Sequence, residues 1–183
     1  MSQDKNSRTL EAIELWLDEK VIGLNLCPFA KQPRKAGRIA IDIVTTTDED
    51  SIYEAFLTAA YGLLSVPIEQ TETSLLVLES GFESFEDYLD LLSQLETLID
   101  LNDWRGTLQL ASFHPLYQFE GTEPDSRENY TNRSPFPVFH LLREDSISKA
   151  RELHPNTEEI PERNIALFEE MDDEQFNQLF GPQ

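Results

Sequence analysis

The sequence predicts an α/β fold, with α+β as the alternative, in a single domain over residues 8–171: a central mixed or mostly parallel sheet of about four strands with flanking helices. Three observations lead there. Short apolar runs at 39–44, 75–78, 107–112 and 138–142 have either the two-residue alternation or the unbroken hydrophobicity of strands. Between the first three, apolar residues recur every three or four positions, as on helices. A chain of 183 residues also suits one core, with about 70% of its unfolded surface buried.

Taken in order, Ile13, Trp16, Leu17 and Val21 share one helical face, and Gly23 ends that helix. The apolar segment 23–31 follows, where Pro28 biases Cys27 away from helical angles. Residues 31–37 form a basic connector carrying Lys31, Arg34 and Lys35, read either as a solvated turn or as help in holding an anion. In the first strand, IAIDIV, residues Ile39, Ile41 and Ile43 point one way. Thr47 and Asp50 resemble a variant capping box for a helix that buries Ile52, Ala55, Phe56, Ala59 and Leu63. The run 75–78 is apolar on both faces, as a central strand is, and Gly81 closes it. Ser84 with Asp87 caps a third helix, whose stripe is Phe85, Tyr88, Leu92, Leu95 and Ile99. A turn at 102–106 leads into the third strand.

Two strand–helix–strand units in succession imply at least partly parallel pairing, with ligands gathering beyond the carboxyl ends of the strands, where Ser112, Phe113 and His114 would sit. After the fourth strand, Asp145 is placed to cap a helix through Ile147, Ala150 and Leu153. A last helix begins near Pro161 and turns Ile165, Phe168 and Met171 inward. Residues 172–183 read as an acidic, fraying tail in which Phe176, Leu179 and Phe180 are available to dock.

Fourteen Lys and Arg against 35 Asp and Glu give a net charge of -21. A field of that sign repels phosphate backbones and anionic lipid heads, which excludes nucleic acid and membrane surfaces as partners. No apolar run approaches the ~20 residues of a membrane helix, and the opening residues lack a secretory signal. The single cysteine suits a reducing compartment, so the expectation is an acidic, soluble, cytoplasmic protein.

Residues 112–145, SFHPLYQFEGTEPDSRENYTNRSPFPVFHLLRED, concentrate the chemistry of the chain. A connection longer than about 15 residues is usually a working loop or a disordered one, and the aromatic content here argues for order. The segments GLNLCPFAK, LQLASFHPLYQFEGTEPD, NYTNRSPFPVFHLLREDSI and ERNI resemble the bacterial family known as domain of unknown function 1415, over about residues 15–168. The resemblance implies that these segments belong together and carries no activity. Phe136 stands where that family has an aromatic of either kind, so no hydroxyl is essential there.

His114 and Cys27 are the catalytic candidates; Tyr117, Asn129, Asn132, Arg133, Ser134, His140 and Arg143 are the ligand-binding ones. Four readings arrange them. In the first, Arg133 and Arg143 hold a carboxylate or phosphate, Asn129, Asn132 and Ser134 add donors, and His114 moves a proton. A metal reading takes His114, His140 and Glu144, with Cys27 or Asp145 as substitutes, although His140 shares a strand face with Val138 and Leu142 and so also suits a core position. Cys27 as nucleophile with His114 as base is the third, in a field from Lys31 or Arg133. The last is an adaptor that presents Phe119, Tyr130 and Phe136 around Arg133. The working expectation is an enzyme or binding protein for a small anionic ligand. No glycine-rich phosphate loop, metal-ligand repeat or serine elbow specifies a cofactor.

Overall fold

The computed structural model describes residues 2–153 and 156–181; the readings of the Leu153 side chain and of residues 182–183 lie outside the described residues. Its strands β1 (Ile39–Val44), β2 (Thr73–Leu78), β3 (Leu108–Phe113) and β4 (Val138–Arg143) form one sheet in the order β1-β2-β4-β3. Only β1 and β2 are parallel neighbours. β4 lies between β2 and β3 and is antiparallel to both, so the sheet is mixed and the fold is α+β. The parallel pairing expected of the second strand–helix–strand unit therefore does not form, because β4 takes the edge of β2 that β3 would have needed.

The first helix, α1 (Ser2–Leu15), runs straight into a π-helical turn, Trp16–Ile22. The basic connector folds as a short helix, α2 (Lys31–Lys35), tied down by Arg34, which bridges Glu14 at 3.0 Å and Asp18 at 2.8 Å. Helix α3 (Glu49–Ser65) is capped by Asp48, whose carboxylate accepts from the Ser51 N–H at 3.0 Å, one residue beyond the expected cap. Ser84 does cap α4 (Phe85–Leu101) through the Asp87 N–H. Helix α5 (Glu144–Leu153) begins directly where β4 ends, so Asp145 lies inside it and is not its cap. Pro161 stands in the first turn of α6 (Ile160–Glu170), which buries Phe168.

Both faces of the sheet are covered. On one, Leu76, Leu78, Phe139, Leu141 and Leu108 pack against the apolar stripes of α3 and α4, including Ile52, Phe56, Tyr88 and Leu95. On the other, Leu75, Val77 and Val138, with Ile39, Ile41 and Ile43 of β1, meet Ile13, Trp16, Leu17 and Val21. All six residues of β2 are buried, as its unbroken apolar run requires.

The tail is helical. In α7 (Asp173–Phe180), Phe176 and Phe180 join Tyr130 and Phe168 in a cluster of ring contacts, with Tyr130 at 4.8 Å and 5.1 Å from the two. Lys20 donates to the Leu179 carbonyl at 2.7 Å, and the Arg127 guanidinium sits 4.6 Å above the Phe176 ring. Among the described residues, no helix is long and apolar enough to cross a membrane.

One side chain closes the end of α3. Arg143 donates to the carbonyls of Leu63, Val66 (2.8 Å) and Thr71 (3.0 Å). Arg143→Leu leaves these acceptors without their cation, with an expected loss of about 2–4 kcal/mol of unfolding free energy measured in urea.

Candidate functional site

The loop that leaves β3 is held in shape by its own polar groups. Asn129 is fully buried; its Oδ1 accepts from the Phe119 N–H at 2.9 Å and its Nδ2 donates to the Glu123 carbonyl at 2.8 Å. Arg133 donates to the Tyr117 carbonyl at 3.3 Å and the Pro124 carbonyl at 2.6 Å, with its guanidinium 4.1 Å above the Tyr130 ring. The Asn132 carbonyl accepts from the His114 N–H, Ser134 donates to the Phe136 carbonyl, and the Tyr117 ring packs on Phe85 and Phe119. These contacts use the side-chain groups of Asn129, Arg133 and Ser134 that the sequence offered as ligand donors. Arg133 precedes β4 and Arg143 ends it, each engaged by a different set of backbone carbonyls, so the structure does not bring them together.

His114 is likewise fully engaged. Its Nδ1 accepts from the Leu116 N–H at 3.0 Å, which places the ring proton on Nε2, donating to the Phe82 carbonyl at 2.8 Å. That carbonyl belongs to a turn in which Gly81 (φ 79) and Phe82 (φ 57) are both left-handed, a strained conformation for phenylalanine that needs such a tie. The ring lies 5.3 Å from Phe85 and 4.9 Å from Tyr88, on the α4 side of the sheet. His140 and Cys27 are on the opposite side, with Trp16 and Phe113. The structure thus separates His114 from both partners proposed for it, and among the described residues no group of three or more His, Cys, Asp and Glu side chains converges on a metal position.

What it does bring together is a cavity of about 330 Å³ between the sheet and the first helix. Strand register builds the floor: Ala111 pairs with His140 and Gln109 with Leu142 across β3 and β4, while Leu75 faces His140 and Thr73 faces Leu142 across β2 and β4. Ala111 offers only a methyl group beside the imidazole, which leaves room above it. Trp16, Leu17 and Val21 form the roof, Cys27, Phe29, Ala30 and Pro33 one wall, and Ser146, Ile147, Ala150 and Arg151 of α5 the far end. A volume of this size falls within the range of small-molecule sites, ~300–1,000 Å³, and the lining is mostly carbon.

The roof is π-helical where it covers the cavity. Such turns are rare and frequent at functional sites. The Gly23 N–H closes the turn on the Asp18 carbonyl at 3.0 Å, and a Cβ at Gly23 would lie 2.2 Å from the Glu19 carbonyl oxygen, so glycine is required there. Trp16 Nε1 donates to the Arg133 carbonyl at 2.9 Å, fixing the roof to the loop.

His140 is the chemical centre of the floor. Thr73 has one hydroxyl proton, donated to the Leu141 carbonyl at 2.6 Å, so the Thr73 oxygen accepts from His140 Nε2–H, also at 2.6 Å. Nδ1 then keeps its lone pair and has no hydrogen-bond partner among the described residues. The ring faces the void yet lies deep below the molecular surface, and burial pushes its pKa down to about 4. It is neutral at pH 7. Burial raises the Cys27 thiol above its ordinary value, against smaller opposing effects of backbone hydrogen bonds at Phe29 and Ala30 and the charge of Arg163, so the sulfur stays protonated.

Cys27 and His140 were legible as candidates in the sequence; Trp16, Thr73, Gln109, Ala111, Ser146 and Arg151 were not assigned there. The signal for Gln109 and Ala111 was the alternation of β3, which puts both on one face with Phe113, but that face gains meaning only once β4 is its neighbour.

Fold and site together define an α+β protein with a mostly apolar cavity that presents one neutral imidazole. A family model described as a protein of unknown function (DUF1415) matches residues 8–178, and the chain belongs to that family. The match extends past the 15–168 of the sequence resemblance into α7. No curated protein and no solved structure matches the chain.

Because the folded value of His140 lies below its unfolded value near ~6.5, the unfolded chain takes the proton first. The contribution is complete above about pH 6.5 and is lost as the pH falls towards about 4. His114, also lowered by burial, acts in the same direction. Urea denaturation at pH 7 and pH 5 is expected to show the natural chain losing about 2 kcal/mol more than His140→Phe. Equal losses would contradict the assigned burial.

Proposed function

We propose that the protein binds a small, largely apolar molecule in the cavity beneath the π-turn, with the ligand donating one hydrogen bond to Nδ1 of His140. The observation that carries this reading is the pairing of a mostly carbon-lined void with an imidazole acceptor whose other nitrogen is already fixed by Thr73. Binding is favoured over turnover. A histidine with a pKa of about 4 is a weak base at neutral pH, and the Cys27 thiol, raised by burial, is a poor nucleophile. Neither His114 nor the loop arginines face this cavity, which moves the small-molecule site from the middle of the 112–145 loop to the strands at its two ends. A buried, protonated thiol is compatible with the reducing cytoplasm.

Phenol and indole, each with one donor, and toluene, which has none, test the reading by ligand-observed NMR. The donors should bind about three- to tenfold more tightly than toluene, a preference that His140→Phe removes. Ala111→Leu, which fills the void, should abolish binding of all three. Undiminished binding to Ala111→Leu would contradict the assignment.

A further inference from the structure

The cavity is not uniform along its length. The end under Trp16 and beside Phe113 is aromatic and aliphatic; the α5 end carries the unassigned polar groups. Two of these are without partners among the described residues. Ser146 Oγ is buried from solvent and makes no hydrogen bond, although a hydroxyl can donate one and accept two. Such a group is costly to leave unsatisfied, by about 1–3 kcal/mol, and rotation about its Cα–Cβ bond would offer it to a ligand oxygen at the cavity end that Ser146 lines. Arg151, one helical turn or so further along α5, lines the same end and has no ion pair among the described residues.

The remaining charge at this end is already neutralised. Glu72 is bridged to Arg38 at 3.1 Å, so the Arg151 guanidinium is the uncompensated charge there. In a chain of net charge -21, a cation left unpaired at the mouth of an apolar cavity is a local reversal of sign. A guanidinium beside a hydroxyl donor matches a carboxylate, whose two oxygens accept from both.

We propose that the α5 end of the cavity is a carboxylate subsite, in which Arg151 and Ser146 Oγ hold the acid group of a ligand whose apolar body lies between Trp16 and the sheet. The inference rests on the cavity reading and adds the ligand class: a small amphipathic acid, aromatic or aliphatic. His140 Nδ1, on the floor between the two ends, then accepts from a hydroxyl or N–H on the ligand body. The arrangement reads the molecule at both of its polar positions.

Phenol, 4-hydroxyphenylacetate and tyramine, titrated into the full chain and followed by calorimetry, separate the subsite from the cavity. They share the phenol ring and differ in carrying no charge, a carboxylate or an ammonium. The acid should bind about tenfold or more tightly than phenol, and tyramine more weakly than phenol. Arg151→Gln should bring the acid to the level of phenol while leaving phenol itself unchanged, and Ser146→Ala should weaken the acid about threefold. Raising the salt concentration should narrow the gap between acid and phenol. If phenol binds but the acid has no advantage, or if the advantage survives Arg151→Gln, the carboxylate subsite is overturned and the cavity reading stands. If none of the three binds, both are overturned.

Discussion

The hydrogen bonding of β4 on both of its edges is the constraint on which the rest of the structure depends. Side chains alternate across a strand, so inserting β4 between β2 and β3 sends Phe139 and Leu141 into the core with α3 and α4, and His140 and Leu142 to the face under the first helix. A slip of one residue would exchange them. The burial of β2 on both faces, and the antiparallel ladders on either side of β4, hold that register. With His140 fixed on one face and His114 turned to the other by its bond to Phe82, the two histidines take unrelated roles.

The faces are also covered unequally. Two helices of 17 residues each cover one side, and their stripes fill it with fully buried rings and aliphatic chains. The other is covered by α1 with its π-turn, a proline-containing five-residue helix and α5, which leave a void between themselves and the sheet. Protein interiors rarely tolerate voids much larger than a water molecule. A cavity of about 330 Å³ maintained by a glycine that no other residue can replace, under a tryptophan tied to the loop, is a built feature. The loop's contribution is architectural: Asn129, Arg133 and His114 spend their hydrogen bonds on carbonyls and amides, and the ordered loop then anchors Trp16.

Much of the fold was legible because it is local. The isoleucines of β1 share one face, Ser84 caps α4, Gly23 ends the first helix and Pro161 stands in the first turn of α6, each from the identity and spacing of neighbours in sequence. Pairing was not, since nothing within 138–143 states which strands flank it. The same limit governed the site. Residue type marked the 112–145 stretch as chemically rich, but whether an arginine faces a ligand or the carbonyl of Pro124 is decided by backbone far away in the chain. Ala111 shows the converse: an unremarkable residue in sequence becomes the opening of the cavity through its pairing with His140.

Ligand binding beneath the π-turn requires the cavity to be present and apolar in solution. Methyl-resolved NMR spectra recorded under xenon pressure test this directly, because xenon enters dry, carbon-lined voids and perturbs the methyl groups around it. Shifts confined to Leu17, Val21, Ile39, Leu75, Leu142 and Ile147, the residues around the void, are the expected result. An absence of shifts, or shifts centred on Leu76, Leu95 and Leu141 on the opposite face, would contradict it.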